Sequence, residues 1–291
     1  MKFGALEAGG TKMVCAVGLE DGTILEQVSI PTKEPAETIP LIVDYFKDKR
    51  IASLGIGSFG PVDVNKKSDT YGHILDTPKL AWKGYDLVGE IKRELNVPIE
   101  LDTDVNGSCL GEMTFGCAQN LKNVIYITIG TGIGVGIGIN GKLLHGMLHP
   151  EAGHILMRKH PKDHFEGWCP YHETCFEGLA AGPAIEKRWN SKAIDLAKRE
   201  EVWELEAYYI AQALTNYIFT LSPQKIILGG GVMHQTQLFP LVRKKTLAMV
   251  NGYVHTKELE DIDNYIVPAR LHDDQGIMGA IQLAKWAIGK K

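Results

Sequence analysis

Residues 3–17 of this chain read FGALEAGGTKMVCAV, and residues 124–139 read VIYITIGTGIGVGIGI. Each stretch is an apolar run, a turn rich in glycine with one threonine, and a second apolar run. That pattern predicts two β-strands joined by a tight turn. Thr11 in the first turn and Thr131 in the second hold the same place, so the chain contains one β unit twice.

A hairpin signal and a further strand follow each copy of the unit. The signals are Asp21-Gly22 and Asn140-Gly141, which fall within one residue of each other when the two copies are aligned. Strand and helix patterns follow one another through the rest of the chain, so the predicted fold class is α/β. Two similar domains placed face to face would aim both glycine turns into one cleft.

The boundary between the two domains is predicted near residues 115–120, although no low-complexity linker marks it. We assign residues 1–117 to an N-terminal α/β domain. Residues 118–277 form the predicted C-terminal α/β domain, which carries a loop rich in histidine and cysteine. The terminal helix, about residues 278–291, is expected to pack back on the N-terminal domain.

Composition and charge exclude several classes of protein. With 31 Lys and Arg residues against 35 Asp and Glu, the formal net charge is −4, whereas a nucleic-acid-binding protein usually has a basic patch. No apolar run is long enough to span a bilayer, and the first residues lack the apolar core of a signal peptide. Five cysteines is an odd and small number for a disulfide framework. We expect a cytoplasmic protein that binds neither nucleic acid nor membrane.

The two glycine turns are candidate phosphate sites. A turn of small residues lets successive backbone N–H groups point at an anion. The first turn comprises Gly9, Gly10, Thr11 and Lys12, and the second is built around Thr131 and Gly132. Neither fits the Walker A or the dinucleotide pattern, and each alone is more often an ordinary tight hairpin. Two matched turns, however, suit a polyphosphate.

A third glycine run, Gly229, Gly230 and Gly231, follows a predicted buried strand. A backbone without side chains at that place leaves room for the base and ribose of a nucleotide. Gly182 and Pro183, which precede a predicted helix, are assigned to the same nucleotide site.

Two carboxylates stand where strands end. Asp104 lies at a strand-to-helix junction, the place where ligands gather in open α/β sheets. It is either the cap of the following helix or a general base that takes a proton from a hydroxyl attacking a phosphate. Glu7 ends the first strand beside the first glycine turn. It is either an ordinary acid at a strand edge or a ligand of Mg²⁺, directly or through water.

Six of the ten histidines lie between His145 and His172. Cys169, His172 and Cys175 follow one another with the spacing C-x2-H-x2-C. Thiolates and imidazoles in a set of four suit a closed tetrahedral zinc site. The sequence therefore predicts structural zinc in this loop.

The spacing alone leaves the fourth zinc ligand open. We favour His154, but His160 or His164 could take its place. The alternative to a metal site is a polar loop with incidental cysteines and histidines.

These motifs together resemble the ROK family (repressor, open reading frame, kinase), and within it the bacterial fructokinases. The similarity extends from Glu7-Ala-Gly-Gly-Thr-Lys12 to Asp274-Gln-Gly-Ile-Met-Gly279. Its most specific parts are Glu151-Ala-Gly-His154 and the segment ending Cys175-Phe-Glu177-Gly178. The resemblance implies the two-domain actin-like (sugar kinase / ribonuclease H-like) fold with duplicated β units. It also implies ATP and Mg²⁺ in the cleft and a homodimer.

The resemblance gives each candidate residue a role. Asp104 would be the catalytic base, the two glycine turns would bind phosphates, and Gly229–Gly231 would lie near adenosine. Seven residues would contact the sugar: Gly60, Pro61, Thr103, Asn106, Glu151, His154 and Glu177. His154 would then serve both the sugar and the zinc.

Three positions depart from the family's glucokinases. Glu7 stands where they have Asp, Thr103 where they have Asn, and His172 where the zinc motif has cysteine. The first two departures favour the fructokinase branch, so the expected reaction is transfer of phosphate from ATP to D-fructose, giving fructose 6-phosphate. Glucose, mannose or an amino sugar remain alternative substrates. A sugar-responsive repressor is least favoured, because the first strand starts at Phe3 and the chain is acidic.

Overall fold

The structure, a computed structural model, describes residues 1–289 of the chain. Strands and helices follow one another along it. The strands are β1 (Phe3–Ala8), β2 (Lys12–Gly18), β3 (Ile24–Pro31), β4 (Leu54–Ser58), β5 (Ile99–Thr103), β6 (Val124–Ile129), β7 (Ile133–Ile139), β8 (Lys142–Leu143), β9 (Lys225–Gly229) and β10 (Ile266–Pro268). The α-helices are α1 (Pro35–Lys47), α2 (Leu87–Leu95), α3 (Asp104–Thr114), α4 (Phe176–Ala180), α5 (Gly182–Trp189), α6 (Glu200–Leu221), α7 (Leu238–Val250), α8 (Lys257–Glu260), α9 (Ile262–Tyr265) and α10 (Gln275–Ala287).

The chain forms two compact units. The first runs from Met1 to Asn120, takes in Leu143–His149 and resumes at Arg270. The second comprises Leu121–Lys142 and Pro150–Ala269. The boundaries predicted from the sequence instead place residues 143–149 in the C-terminal domain. Nothing in the sequence of that segment indicates that it packs with the first unit.

Two helices begin earlier than the patterns predict. α10 begins at Gln275 rather than Met278, and α5 begins at Gly182 rather than Ala184. In α5 the proline lies in the first turn, where its missing N–H costs nothing. Residues 290 and 291, the last two of the predicted terminal helix, lie outside the described residues.

The first unit is built on a five-stranded sheet in the order β3-β2-β1-β4-β5. β1, β2 and β3 form an antiparallel meander, whereas β4 runs parallel to β1 and β5 runs parallel to β4. One face of the sheet is covered by α1 and α2, whose residues Ile42, Phe46 and Ile91 pack with Leu6 and Ile56. β1, β2 and β4 are apolar almost throughout because both of their faces are buried, whereas the edge strand β3 is largely exposed.

α10 covers the other face of this sheet. Ile281 of the helix lies in a buried cluster with residues of β1 and β2. A Cβ on Gly55 of β4 would lie 1.9 Å from the carbonyl oxygen of Ala280, and one on Gly279 would lie 1.7 Å from the carbonyl oxygen of Gly107 in α3. Glycine is therefore required at both positions for the backbones to approach this closely.

The second unit repeats the architecture of the first. Its five-stranded sheet has the order β10-β9-β6-β7-β8, with β6 and β7 antiparallel and with β9 parallel to both β6 and β10. Each strand of the first sheet thus has a counterpart five strands later. The duplication predicted from three strands extends to five.

Candidate active site and metal centre

The first glycine turn, residues 9–12, joins β1 to β2. The N–H of Gly9 donates to the carbonyl of Lys12 at 3.0 Å, which closes the turn. Among the described residues, the N–H groups of Gly10 and Thr11 have no intramolecular partner. The turn therefore presents two free backbone donors, as a phosphate site needs.

Glu7 is half-buried at the end of β1, beside this turn. Burial first, and the negative charge of Asp104 second, raise the pKa of Glu7 to about 7, while Lys12 acts in the opposite direction. Because the charge of Asp104 changes the pKa of Glu7, these two carboxylates lie in one group of acids. Oxygen ligands of this kind are what Mg²⁺ prefers, so the residues present fit the predicted cation.

The start of α10 closes this group of acids. A Cβ on Gly276 would lie 2.6 Å from the carboxyl carbon of Glu7. Asp274 and Asp273, just before that glycine, add negative charge that raises the pKa of Glu7 further. No local pattern in the sequence links these two acids to Glu7, since they lie more than 260 residues from it in the chain.

Asp104 is the first residue of α3, directly after β5. The helix is capped by Thr103, whose hydroxyl oxygen accepts from the N–H of Asn106 at 3.1 Å. Because Thr103 supplies the cap, the half-exposed Asp104 carboxylate is not needed for it. Oδ1 of Asp104 accepts from the N–H of Val105 at 2.8 Å. Thr103, and not Asp104, therefore caps α3. The role of Asp104 as a general base stays a prediction.

Two of the predicted sugar-binding side chains are buried. Thr103 is 4% exposed and Asn106 is 1% exposed. The Asn106 Nδ2 group donates to Asp102 Oδ1 at 2.7 Å, and the Thr103 hydroxyl is taken up by the helix cap. Both side chains hold the start of α3, so a sugar contact by either stays a prediction.

Sequence reasoning missed Asp102 and its partner His145. Asp102 Oδ2 lies 2.9 Å from His145 Nε2, and this hydrogen bond is the main reason why the pKa of His145 is raised. Asp102 is 3% exposed, two residues before Asp104. The pair ties residues 143–149 to the end of β5. In the sequence His145 looked like part of a metal-binding stretch, and no pattern links it to Asp102.

The loop after β4 carries the predicted sugar contact Gly60-Pro61, whose peptide bond is cis. The N–H of Phe59 donates to the carbonyl of Ala8 at 2.7 Å, so the loop begins beside the first glycine turn. The N–H of Val62 donates to Nε2 of His149 at 3.2 Å. A second histidine of the predicted metal-binding stretch therefore serves to hold residues 143–149 in the first unit.

The second glycine turn joins β6 to β7 and meets the other predicted nucleotide segments. The N–H of Gly182, at the start of α5, donates to the carbonyl of Gly130 at 2.8 Å. A Cβ on Gly130 would lie 3.8 Å from the backbone nitrogen of Gly231. Gly230, the residue before Gly231, has φ of 87°, a conformation that glycine adopts without strain. Three segments far apart in the sequence thus converge in the second unit.

Glu177 lies against the second glycine turn. Its Oε2 atom accepts from the N–H of Ile133 at 2.9 Å, and a Cβ on Gly132 would lie 2.7 Å from that oxygen. Partial desolvation first, and the charge of Glu177 second, raise the pKa of Glu151 to about 6. The structure therefore brings these two predicted sugar-binding carboxylates together.

The four predicted zinc ligands form one cluster: His154, Cys169, His172 and Cys175 offer ligand atoms that all lie within 4.8 Å of one another. His154 Nδ1 lies 3.7 Å from the Cys169 sulfur and 3.5 Å from the Cys175 sulfur. His172 Nδ1 lies 3.8 Å from the Cys169 sulfur. Tetrahedral zinc with ordinary bond lengths separates such atoms by about 3.5–3.8 Å, so the set fits the metal.

Of the three candidate histidines, His154 is the one that lies in this cluster. The ring of His160 packs edge-on against Tyr208, at 4.9 Å between centroids, and its backbone N–H donates to the hydroxyl of Tyr209. Burial raises the pKa of the Cys175 thiol to about 12. Without a cation this thiol would stay protonated at neutral pH, and a bound metal is what stabilises such a thiolate.

A buried ion pair anchors the metal-binding loop to the helices behind it. Asp163 Oδ2 lies 3.2 Å from Nε of Arg188 and accepts from the hydroxyl of Tyr209 at 2.5 Å. Arg188 also donates to the carbonyl of Leu179, in α4, at 2.7 Å. The loop is therefore held by α4, α5 and α6 as well as by its own cysteines.

Comparisons with known proteins agree with this geometry. The model of the ROK family matches residues 3–287. A putative fructokinase of Bacillus subtilis is 53% identical over 98% of this chain and 96% of its own, and a fructokinase of Pediococcus pentosaceus is 45% identical over 99% of each. The crystal structure of a ROK hexokinase from Thermus thermophilus superposes with a TM-score of 0.77 at 23% identity, covering 99% of both chains.

The fold prediction is confirmed by this likeness and by the two matching sheets. The α/β, actin-like fold with duplicated β units is the fold of the chain. Across residues 1–289, every helix is too short or too polar to cross a membrane.

Proposed function

The chain belongs to the ROK family, and from that premise we propose that it transfers phosphate from ATP to D-fructose, giving fructose 6-phosphate. The observation that carries the choice of sugar is the identity to fructokinases, which extends over nearly the whole chain. The residues predicted to carry the chemistry support the proposal through their surroundings in the structure.

Asp104 is the general base of the proposed reaction. Its half-exposed carboxylate, free of the capping role, would take the proton of the primary hydroxyl as that oxygen attacks the terminal phosphorus of ATP. The bond from that phosphorus to the bridging oxygen breaks, and ADP leaves with the electron pair. A positioned base of this kind contributes roughly 10²–10⁴-fold to the rate.

Each unit offers its own backbone groups that can bind phosphate. The free N–H groups of Gly10 and Thr11 belong to the first turn, and the second turn offers its own glycines around Thr131. Such donors are fixed before the reaction and aim at charge that grows on phosphate oxygens. Mg²⁺, when bound, neutralises part of that charge, and Glu7 is the residue that would hold it.

Zinc in the cluster of two histidines and two cysteines is the proposed structural metal. A closed set of four protein ligands leaves no position for a substrate, so such a site supports folding rather than chemistry. The ligands come from both ends of the loop, and Glu151 and Glu177 lie at those same ends. Fixing the loop therefore fixes the two carboxylates proposed to contact sugar hydroxyls.

We also propose a cytoplasmic homodimer. None of the five cysteines, all within the described residues, is in a disulfide, which suits a reducing compartment. The dimer rests on the family resemblance. Light scattering on the purified protein tests it: a mass twice that of one chain is expected, and a monomer at micromolar concentration contradicts it.

The reaction is tested directly by its products. ADP release is followed with a coupled assay while ³¹P NMR identifies the sugar phosphate formed from ATP and D-fructose. We expect ADP and fructose 6-phosphate in equal amounts. ADP release without a sugar phosphate, or with phosphate on another hydroxyl, would overturn the proposal.

A further inference from the structure

Lys79 reaches over the first glycine turn. A Cβ built on Gly10 would lie 2.9 Å from Cε of Lys79 and 3.9 Å from its ammonium nitrogen. Both residues belong to the first unit. The ammonium group therefore lies beside the turn whose N–H groups, at Gly10 and Thr11, have no partner among the described residues.

The backbone that carries Lys79 is well anchored. The N–H of Trp82 donates to the carbonyl of Lys79 at 2.8 Å, and the indole N–H of Trp82 donates to the carbonyl of Lys33 at 2.7 Å. Trp82 is 2% exposed and packs edge-on against Phe59. Lys79 thus extends from a fixed point, and its direction toward the turn is set by the fold.

No carboxylate within residues 1–289 pairs with the Lys79 ammonium. Its neighbour in the same loop, Lys83, pairs with Asp76 at 2.6 Å. Lys79 is half-buried, and a cation withdrawn from water gains from a nearby anion. Free N–H donors and an unpaired ammonium at one place are complementary to an anion with several oxygens.

We propose that Lys79 binds the terminal phosphoryl group of ATP and stabilises the charge on it during transfer. This inference rests on the proposed kinase function. The terminal group is chosen because the same unit carries Asp104, the base that must stand next to the phosphorus under attack. Lys79 would act with Lys12, at the end of the turn, as the second of two cations around the phosphate.

A structural role is the competing explanation. The methylene stem of Lys79 covers Gly10, so the side chain could serve only to pack against the turn. A neutral side chain of similar length at position 79 distinguishes the two roles, because it would preserve the packing role and abolish the charge-stabilising role. Lys79→Met keeps the packing and removes the charge, whereas Lys79→Arg keeps a charge. Lys83→Met, four residues along, is the matched control for loss of a lysine charge from this loop.

The test combines kinetics with nucleotide binding. In Lys79→Met we expect kcat/KM for ATP to fall roughly 10²–10³-fold, the usual effect of losing one charge-stabilising donor, with little change in KM for fructose. Lys79→Arg should recover at least about a tenth of the activity, and Lys83→Met should stay within about twofold of wild type. Lys79→Met with kcat/KM for ATP within about threefold of wild type would overturn the proposal.

Measurements of nucleotide binding test the role of Lys79 independently of the proposed kinase reaction. By calorimetry, Lys79→Met should lose affinity for ATP about tenfold while its affinity for ADP stays nearly constant, because ADP lacks the terminal group. Equal losses for both nucleotides would overturn the assignment to that group. If wild type binds ATP but phosphorylates no hexose, the proposed function fails while this comparison still tests Lys79. A wild-type protein that binds neither nucleotide overturns both.

Discussion

His154 Nε2 lies 4.0 Å from Glu177 Oε1, while Nδ1 of the same ring lies 3.5 Å from the sulfur of Cys175. One imidazole thus faces the metal cluster with one nitrogen and a predicted sugar-binding carboxylate with the other. A metal that holds Nδ1 fixes the ring and, through it, the position of Glu177. Through this ring a metal in the cluster would influence the carboxylate proposed to contact the sugar.

Loss of the metal should therefore harm sugar binding first. Cys175→Ser is expected to lose the zinc, since a hydroxyl is a poor ligand for this metal, and to raise KM for fructose more than KM for ATP. Metal content by mass spectrometry and steady-state kinetics measure both effects. Cys117→Ser, outside the cluster, is the control and should keep about one zinc per chain. A metal-free wild type with full activity would contradict the proposal.

Removing the proposed base should slow chemistry without weakening sugar binding. Asp104→Asn is nearly isosteric, and the cap of α3 belongs to Thr103, so the helix should persist. We expect kcat to fall by roughly 10²–10⁴ with KM for fructose little changed. Asp44→Asn, at an exposed position on α1, is the matched control. Near-normal turnover in Asp104→Asn would remove Asp104 from the mechanism.

Breaking the buried pair behind the metal-binding loop should destabilise the protein. Arg188→Met leaves the carboxylate of Asp163, which is 8% exposed, without its cation. Loss of one partner from a buried pair typically costs roughly 3–5 kcal/mol. Arg199→Met removes an exposed pair with Glu201 and should leave the free energy of unfolding nearly unchanged. Urea unfolding measures both, and equal effects would contradict the anchoring role of Arg188.

The pair of Asp102 and His145 should stabilise the fold mainly at low pH. The hydrogen bond to Asp102 raises the pKa of His145 above its unfolded value, with Glu100 adding to the effect and Lys66 opposing it. The stabilisation is fully present below about pH 6.5, the unfolded value, and is lost as the pH rises through the folded pKa.

The measurement for this pair is thermal unfolding of wild type and His145→Asn between about pH 5.5 and pH 9. The difference in Tm should be largest at the acid end. His255→Asn, at an exposed position, is the matched control and should change the Tm little. A difference for His145→Asn that grows toward alkaline pH would contradict the assignment.

The residues that the sequence could place are those with a local signature. The glycine turns predicted the duplicated sheets because a strand, a turn and a strand lie within about fifteen residues of one another. Cys169, His172 and Cys175 revealed the metal-binding loop through their spacing. In each case the interacting groups are close together in the chain, so the sequence pattern predicts their contact.

Other contacts join distant residues and leave no local pattern. Asp102 meets His145 across a connection that includes three strands, and Asp274 approaches Glu7 only because α10 packs on the first sheet. Lys79 reaches Gly10 from a loop without regular structure. These contacts depend on topology, and that is also why the segment 143–149 could not be assigned to its unit from sequence.

The most direct measurement is kcat/KM for a panel of hexoses with ATP, followed by ADP release. Fructose should be the best substrate, with glucose, mannose and N-acetylated amino sugars at least about tenfold poorer, a difference that one or two hydrogen bonds to hydroxyl groups supply. A panel in which another hexose equals or exceeds fructose would contradict the fructokinase assignment. A panel in which no hexose releases ADP above the background rate would contradict the kinase itself.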